Sequence, residues 1–352
     1  MAEPSRGFRP ALRALVLVRL KEFFREPEAL FWIYGFPIIL AAGLGIAFHN
    51  QTPEPARVGW AEWTPADPRL RAGLRGDSAI TLVPFADSSA AALALRTGTV
   101  TLVVVADPQG VRYRFDDSRP EAAFARLRVD QAIQRAAGRQ DVLAPADEIV
   151  RERGSRYIDF LLPGLIAMNL MGSGIWSTGF AIVDTRRKKL LKRLAATPMA
   201  RSDYLASFLI AQLLLLGVEV GAILGFGVVA FDVPVRGALT TLLLVCLAGS
   251  LCFGALGLLA AARPATVEGA SGIMNLIMLP MWVLSGVFFS SARFPDAVQP
   301  IIRALPLTAL VDALRAVILE GASLGGISAQ LLVLLAWLVV GFLGALKLFR
   351  WQ

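Results

Sequence analysis

Histidine is almost missing from this sequence: His49 is the only one in 352 residues. Cysteine is nearly as scarce, with Cys246 and Cys252 six apart in one apolar run and no histidine or acid beside them. On a helix that spacing puts them on different faces, which argues against a disulfide between them. A zinc site fails for want of ligands. His49 falls at a helix end and reads as an interfacial residue rather than a ligand or base. The Gly-x-x-x-x-Gly-Lys-Ser/Thr phosphate loop is absent, so the chain does not hold ATP by that device. His-Glu-x-x-His and close acid pairs within the apolar runs are absent too, which argues against an intramembrane enzyme.

What the chain has in excess is apolar surface. It is 56% hydrophobic with a mean hydropathy of +0.61, above the roughly 45–50% apolar content of soluble domains. This is the composition of an integral membrane protein. The formal charge of +8 invites a nucleic-acid partner, but its distribution argues against one. Between residues 50 and 156 arginines and acids nearly balance. The surplus lies in Arg6, Arg9, Arg13, Arg19, Lys21 and Arg25, in the run 186–193, and in Lys347 and Arg350. Those segments suit the cytoplasmic face and anionic lipid.

A bilayer crossing takes about 20 apolar residues, and six stretches offer them. They are 28–49 (with Pro37, which should kink it), 157–183, 204–231, 237–262, 267–289 and 331–349. The N-terminal 1–27 precedes them as an amphipathic elbow. There Leu12, Leu15, Val16, Leu20, Phe23 and Phe24 lie on one side, as in a helix resting in the cytoplasmic interface. The fourth crossing is rich in small residues (Gly249, Ser250, Gly254, Gly257), which let helices approach closely.

Residues 50–156 form a separate hydrophilic domain between the first and second crossings. Strands are expected at 57–61, 79–83, 99–105 and 111–115, the third continuously β-branched and so central, the fourth alternating. Helices are expected at 88–96 and 120–137, with Pro120 in a first turn and Gly138 at the stop. This is a small α/β domain on the far side of the membrane, either a spacer or a docking surface or gate.

Between the second and third crossings lies 184–199, with six basic residues. Basic loops stay cytoplasmic, which makes both termini cytoplasmic. Leu190, Leu191 and Leu194 share a helical face, Thr197-Pro198 ends it, and Ser202 is placed to cap the next helix. Charge alone allows a topology anchor or a docking helix.

The run from Phe160-Leu161-Leu162-Pro163-Gly164 to Ala196-Thr197-Pro198-Met199 resembles the permease subunits of type-2 ABC exporters, in the branch with a large extracytoplasmic domain after the first helix. So does the order Leu279-Pro280-Met281-Trp282 to Phe289, Phe294-Pro295, Leu305-Pro306-Leu307-Thr308 and Asp312-Ala313-Leu314-Arg315. The resemblance covers the C-terminal half and the first crossing. It departs at the loop, where the family's more acidic pattern and Gly-Thr pair reduce here to Asp184 and Thr197-Pro198. It implies an all-α polytopic membrane protein of six transmembrane helices, with the elbow, re-entrant outer helices in 292–320, and the inserted α/β domain. Segments such as 297–305 and 308–319 are apolar but too short to span.

The resemblance further implies that 184–199 is the coupling helix, with Asp184, Arg187, Lys188, Leu190, Leu191, Leu194, Thr197 and Pro198 facing a cytoplasmic ATPase subunit. ATP and Mg would sit on that subunit, leaving no cofactor or catalytic residue in this chain. A second permease copy would complete the pathway along the second and fifth crossings, in a bacterial cytoplasmic membrane. An extracytoplasmic membrane-fusion adaptor is a further expected partner. Polar residues within spans are costly in lipid, so Asn169, Ser173, Gln212, Glu219, Ser271 and Asn275 are pathway residues or interhelical hydrogen-bond groups, with Trp176 and Met278 beside them. Leu284, Phe288, Phe289 and Pro306 are expected at the outer gate. The cargo expected from sparsely charged spans is hydrophobic or amphipathic: a drug, lipid or lipopeptide. Two rival readings stand beside the exporter: a proton-coupled secondary transporter using Glu219, and a non-transporting assembly or sensor protein.

Overall fold

The computed structural model describes residues 10–48, 55–64, 67–107, 110–140, 143, 154, 156–189, 201–264 and 266–348. The chain divides into two units, Asn50–Val150 and the remainder, Met1–His49 with Arg151–Gln352.

The smaller unit is a four-stranded sheet. Its strands are β1 (Ala56–Ala61), β2 (Ile80–Phe85), β3 (Leu102–Asp107) and β4 (Gly110–Phe115), in the order β2-β1-β3-β4. β1 runs parallel to β2 and β3, and β4 is antiparallel to β3. Leu102-Val103-Val104-Val105-Ala106 is buried throughout because β3 is internal and helices cover both faces. On one face Leu74, Ala125, Val129 and Ile133 pack on Val58, Trp60, Leu102 and Val104. On the other, Ala91 and Ala94 pack on Ala61, Val103 and Val105. Ser88–Arg96 and Pro120–Ala136 form the two helices expected there, with Pro120 in the first turn. A third, Pro68–Arg75, was not legible as an element. It has Pro68 in its first turn and Asp67 as its cap, the carboxylate accepting from Arg69 N–H at 2.8 Å.

In the larger unit five helices among the described residues are long and apolar enough to cross a membrane: Tyr157–Arg187, Ile210–Phe231, Leu239–Ala260, Val267–Leu284 and Ser328–Leu348. We call these the second to sixth spans. The first expected crossing holds a shorter apolar stretch, Phe31–Ala47. It continues Pro27–Leu30 through a π-helical turn, Phe31–Gly35, into Phe36–Ala47. Pro37 sits in the first turn after that wide turn, a position where its missing N–H costs little.

Several boundaries differ from the sequence expectation. The second span, expected to end at 183, runs on as one helix to Arg187, so Asp184–Arg187 extend it instead of opening a separate loop helix. The helix carrying the third span begins at Arg201, so Ser202 lies inside its first turn instead of preceding it as a cap. The fifth span stops at Leu284 because Ser285 caps it and Gly286 takes a left-handed φ of +74°, which favours glycine. Phe288 and Phe289 therefore follow the turn. The sixth span starts at Ser328 rather than at 331.

The second span is the axis of this unit. Of its apolar window 83% is buried, against 22% for the fifth span and 17% for the sixth. Small residues make that possible. A Cβ on Gly257 of the fourth span would stand 2.8 Å from Gly174 C=O, so the two backbones touch. The short helices Gln299–Ala304 and Pro306–Arg315, followed by the π-helical turn Ala316–Glu320, fold back on this core. Leu307, Leu310, Val311 and Leu314 are buried there. At the other extreme the elbow Pro10–Arg25 buries Val16 and is tied to the third helix by Arg19 Nε donating to Ser207 Oγ at 2.9 Å. Phe24, expected on its apolar side, is exposed, since the helix turns only part of that side inward.

Candidate functional site

The second span carries polar side chains at successive levels. It bends through Pro163 and opens into a π-helical turn at Ser173–Ser177. Asn169 Nδ2 donates to Ile33 C=O at 2.9 Å, inside the wide turn of the first apolar helix. A π turn displaces backbone groups from their usual partners, and Asn169 fills that vacancy. One turn on, Ser173 Oγ donates to Glu219 Oε1 of the third span at 3.1 Å. Glu219 is 4% exposed, inside the single chain. The next level joins Thr178 Oγ1 to Gln212 Oε1 at 3.3 Å, and Gln212 Nε2 to Ser250 C=O at 3.5 Å. Burying such groups in apolar surroundings costs several kcal/mol each unless a partner is made.

The fifth span places its residues differently. Met278 is buried, Ser271 Oγ returns to Val267 C=O of its own helix at 2.8 Å, and Asn275 is exposed. Trp176 of the second span is half-buried and stacks on Phe180, ring centroids 4.7 Å apart. Thus Asn169, Ser173 and Glu219 come together within the chain, whereas Asn275 is exposed and Trp176 is half-buried against the core. At the turn after the fifth span Leu284 ends the helix, Phe288 is half-buried, Phe289 is exposed and Pro306 is buried.

The second span ends on charge. Asp184 pairs with Lys188 Nζ at 2.6 Å and, more loosely, with Arg187 at 3.7 Å. Arg187, Lys188 and Lys189 are exposed. Lys189 adopts a φ of 56°, which ends the helix. Leu190, Leu191, Leu194, Thr197 and Pro198 lie outside the described residues.

Two arginines escaped the reading of the sequence. Arg186 turns away from its basic neighbours and donates to the carbonyls of Ala261, Pro264 and Ala262 at 3.1, 2.7 and 3.3 Å. These close the C-terminal end of the fourth span, where carbonyls lack helical partners. Arg315 donates to Phe160 C=O and Gly286 C=O. A lone arginine inside the apolar run 305–319 was the available signal, because such charges in apolar segments are rarely idle. Arg186 was hidden in a run where every residue is basic.

A buried axial helix, ringed by apolar helices of membrane length and ending in an exposed basic patch, defines a polytopic membrane protein. The ABC-2 type transporter family model matches residues 122–319, more than half of the chain. The chain belongs to the ABC-2 type transporter family. It is 28% identical over 208 residues to nodulation protein J of Bradyrhizobium diazoefficiens, covering 57% of this chain and 76% of that protein. The same protein of Rhizobium meliloti is 27% identical over 205 residues, with the same coverage of 57% and 76%. ABC transporter G family member 20 of Dictyostelium discoideum is 25% identical over 187 residues. That alignment covers 53% of this chain and only 26% of the Dictyostelium protein.

Proposed function

We propose that the chain is the membrane-spanning permease subunit of an ATP-driven ABC exporter. Family membership carries the reading. The exposed basic end of the second span supports it as a docking point, since Asp184, Arg187 and Lys188 lead directly into the loop that would meet an ATPase. ATP and Mg belong to that partner subunit, and the chain itself holds no cofactor. A second copy packs against the exposed sides of the fifth span and of Trp176, and the cargo is hydrophobic or amphipathic. The chain sits in a bacterial cytoplasmic membrane with both termini and the 184–199 loop inside. The α/β domain then lies outside, where a membrane-fusion adaptor could dock.

The deciding experiment is purification of the tagged chain from its native membrane, followed by an ATPase assay. A co-purifying ATPase that is lost with Leu191→Asp, while membrane insertion is unchanged, supports both the subunit and its coupling loop. Full ATPase stimulation by Leu191→Asp would sink the docking role. Gradient-driven transport without any ATPase, abolished by Glu219→Gln, would replace the reading with a secondary transporter.

A further inference from the structure

One arginine, Arg315, bridges the second and fifth spans through backbone carbonyls, and a second, Arg186, ties the other end of the second span to the connection that leads into the fifth. At the end near the basic loop, Arg186 of the second span holds Pro264 C=O at 2.7 Å, just ahead of Val267 where the fifth span starts. At the opposite end Arg315, on the short helix Pro306–Arg315, bridges the two spans. Its Nη2 donates to Gly286 C=O at 2.6 Å, directly after the fifth span. Its Nε and Nη2 each reach Phe160 C=O of the second span at 3.2 Å. The guanidinium carbon lies 3.5 Å from the centroid of the Phe160 ring. Beside it Tyr157 Oη donates to Phe288 C=O at 3.1 Å. Along the length, a Cβ on Gly164 would meet Val287 C=O at 2.8 Å, and one on Gly179 would press on Met274.

The geometry points to Arg315 as a positioning residue that makes the second and fifth spans a single lever. The inference rests on the exporter reading for its purpose: motion received at the basic loop reaches the outer mouth undivided. Its physical basis is independent of that purpose. A guanidinium is planar, with donors in a fixed fork, so it can hold two carbonyls at a set angle while its face rests on an aromatic ring. A lysine is a point charge on a flexible stem and cannot set that angle. In apolar surroundings, releasing Gly286 C=O leaves a polar group without water to replace the bond, so the fork resists opening.

The test is a distance measurement in the full-length protein, purified with its ATPase and placed in lipid nanodiscs. The buried Cys246 and Cys252 are first replaced by alanine. Spin labels go on Ser177→Cys and Val283→Cys, both exposed positions, with labelled chains diluted in excess unlabelled chains. The expected result is one narrow distance distribution, identical without nucleotide and with ATP plus vanadate. Arg315→Ala broadens it, and Arg315→Lys restores it only in part, although both variants elute as folded protein. Should Arg315→Ala fail to fold, Tyr157→Phe removes the neighbouring bond and is expected to broaden the distribution to a smaller extent. A wild-type distribution that shifts between the two nucleotide states overturns the lever. So does an Arg315→Ala or Tyr157→Phe distribution as narrow as the parent. If no ATPase co-purifies, the exporter reading falls, while the nucleotide-free comparison of the same variants still decides the lever.

Discussion

The two units give their arginines different acceptors. In the α/β domain side chains answer side chains: Arg128 pairs with Asp77 at 3.1 Å, Arg112 with Asp107 and Arg71 with Glu62, each at 2.8 Å. In the larger unit Arg186 and Arg315 also reach backbone carbonyls, Pro264 C=O ahead of the fifth span and Gly286 C=O just after it. Its carboxylate pairs, Arg156 with Asp159 and Lys188 with Asp184, stand at the two ends of the second span. The difference follows from what each sequence segment supplies. The domain is rich in Asp and Glu, whereas the apolar spans carry few, and unpaired carbonyls at helix ends are the acceptors left. Carboxylate pairs depend on pH and salt; carbonyl acceptors depend on where the helices sit. The first kind tolerates movement of its neighbours, and the second records their placement.

That contrast can be broken by experiment, beginning with the packing that brings the carbonyls within reach. Gly257→Leu must force the second and fourth spans apart, and is expected to abolish monodisperse protein in size-exclusion chromatography. Gly272→Leu on the fifth span meets nothing within 4 Å and should elute normally. Equal behaviour of the two would refute the close-contact account. Next, Arg186→Ala leaves three carbonyls without their donor and should lower stability by about 2–3 kcal/mol. Arg128→Ala, at a mostly exposed pair, should cost under about 1 kcal/mol. Thermal unfolding of both in one detergent would contradict the contrast if the order were reversed.

Asn169→Leu comes third, at about 1 kcal/mol, since interhelical hydrogen bonds in membranes contribute modestly. The same substitution at exposed Asn275 should leave the unfolding midpoint unmoved. The smallest effect is electrostatic. The hydrogen bond from Arg128 holds the Asp77 carboxyl below its ordinary range. Because the folded value is depressed, the pair stabilises the domain above the unfolded value near pH 4 and loses that contribution as pH falls through the folded value. Asp77→Asn should flatten this acid limb in a pH series of unfolding, and salt should weaken the parent to a similar degree.

Much of the fold was legible because its signals are local. The β-branched run ending at Val105, the alternation of Val111-Arg112-Tyr113-Arg114-Phe115 and the apolar lengths of the spans each report on their own backbone. The helix Pro68–Arg75 was overlooked: it is short, three of its eight residues are arginine, and only Leu74 is fully buried. The end of the fifth span was placed too late, because apolar residues continue through Val287-Phe288-Phe289 while the turn depends on Gly286. Among the site residues, polarity picked out Asn169, Ser173, Gln212 and Glu219 but not their partners. Ile33 C=O and Ser250 C=O are backbone acceptors and leave no trace in residue type.

By itself, then, the sequence determined composition-driven and nearest-neighbour features: a membrane protein, its apolar segments, an inserted α/β domain and a basic connection after the second span. Hydropathy and periodicity are sums over adjacent residues, so no fold is needed to read them. Only the tertiary structure decided that the second span is the buried axis while the fifth lies largely open. It also decided that Glu219 meets Ser173 within one chain, and that Arg186 and Arg315 reach backbone carbonyls. Those outcomes depend on which helices approach closely enough to share a hydrogen bond, and residues as distant as Phe160 and Arg315 acquire that relation only when the chain folds.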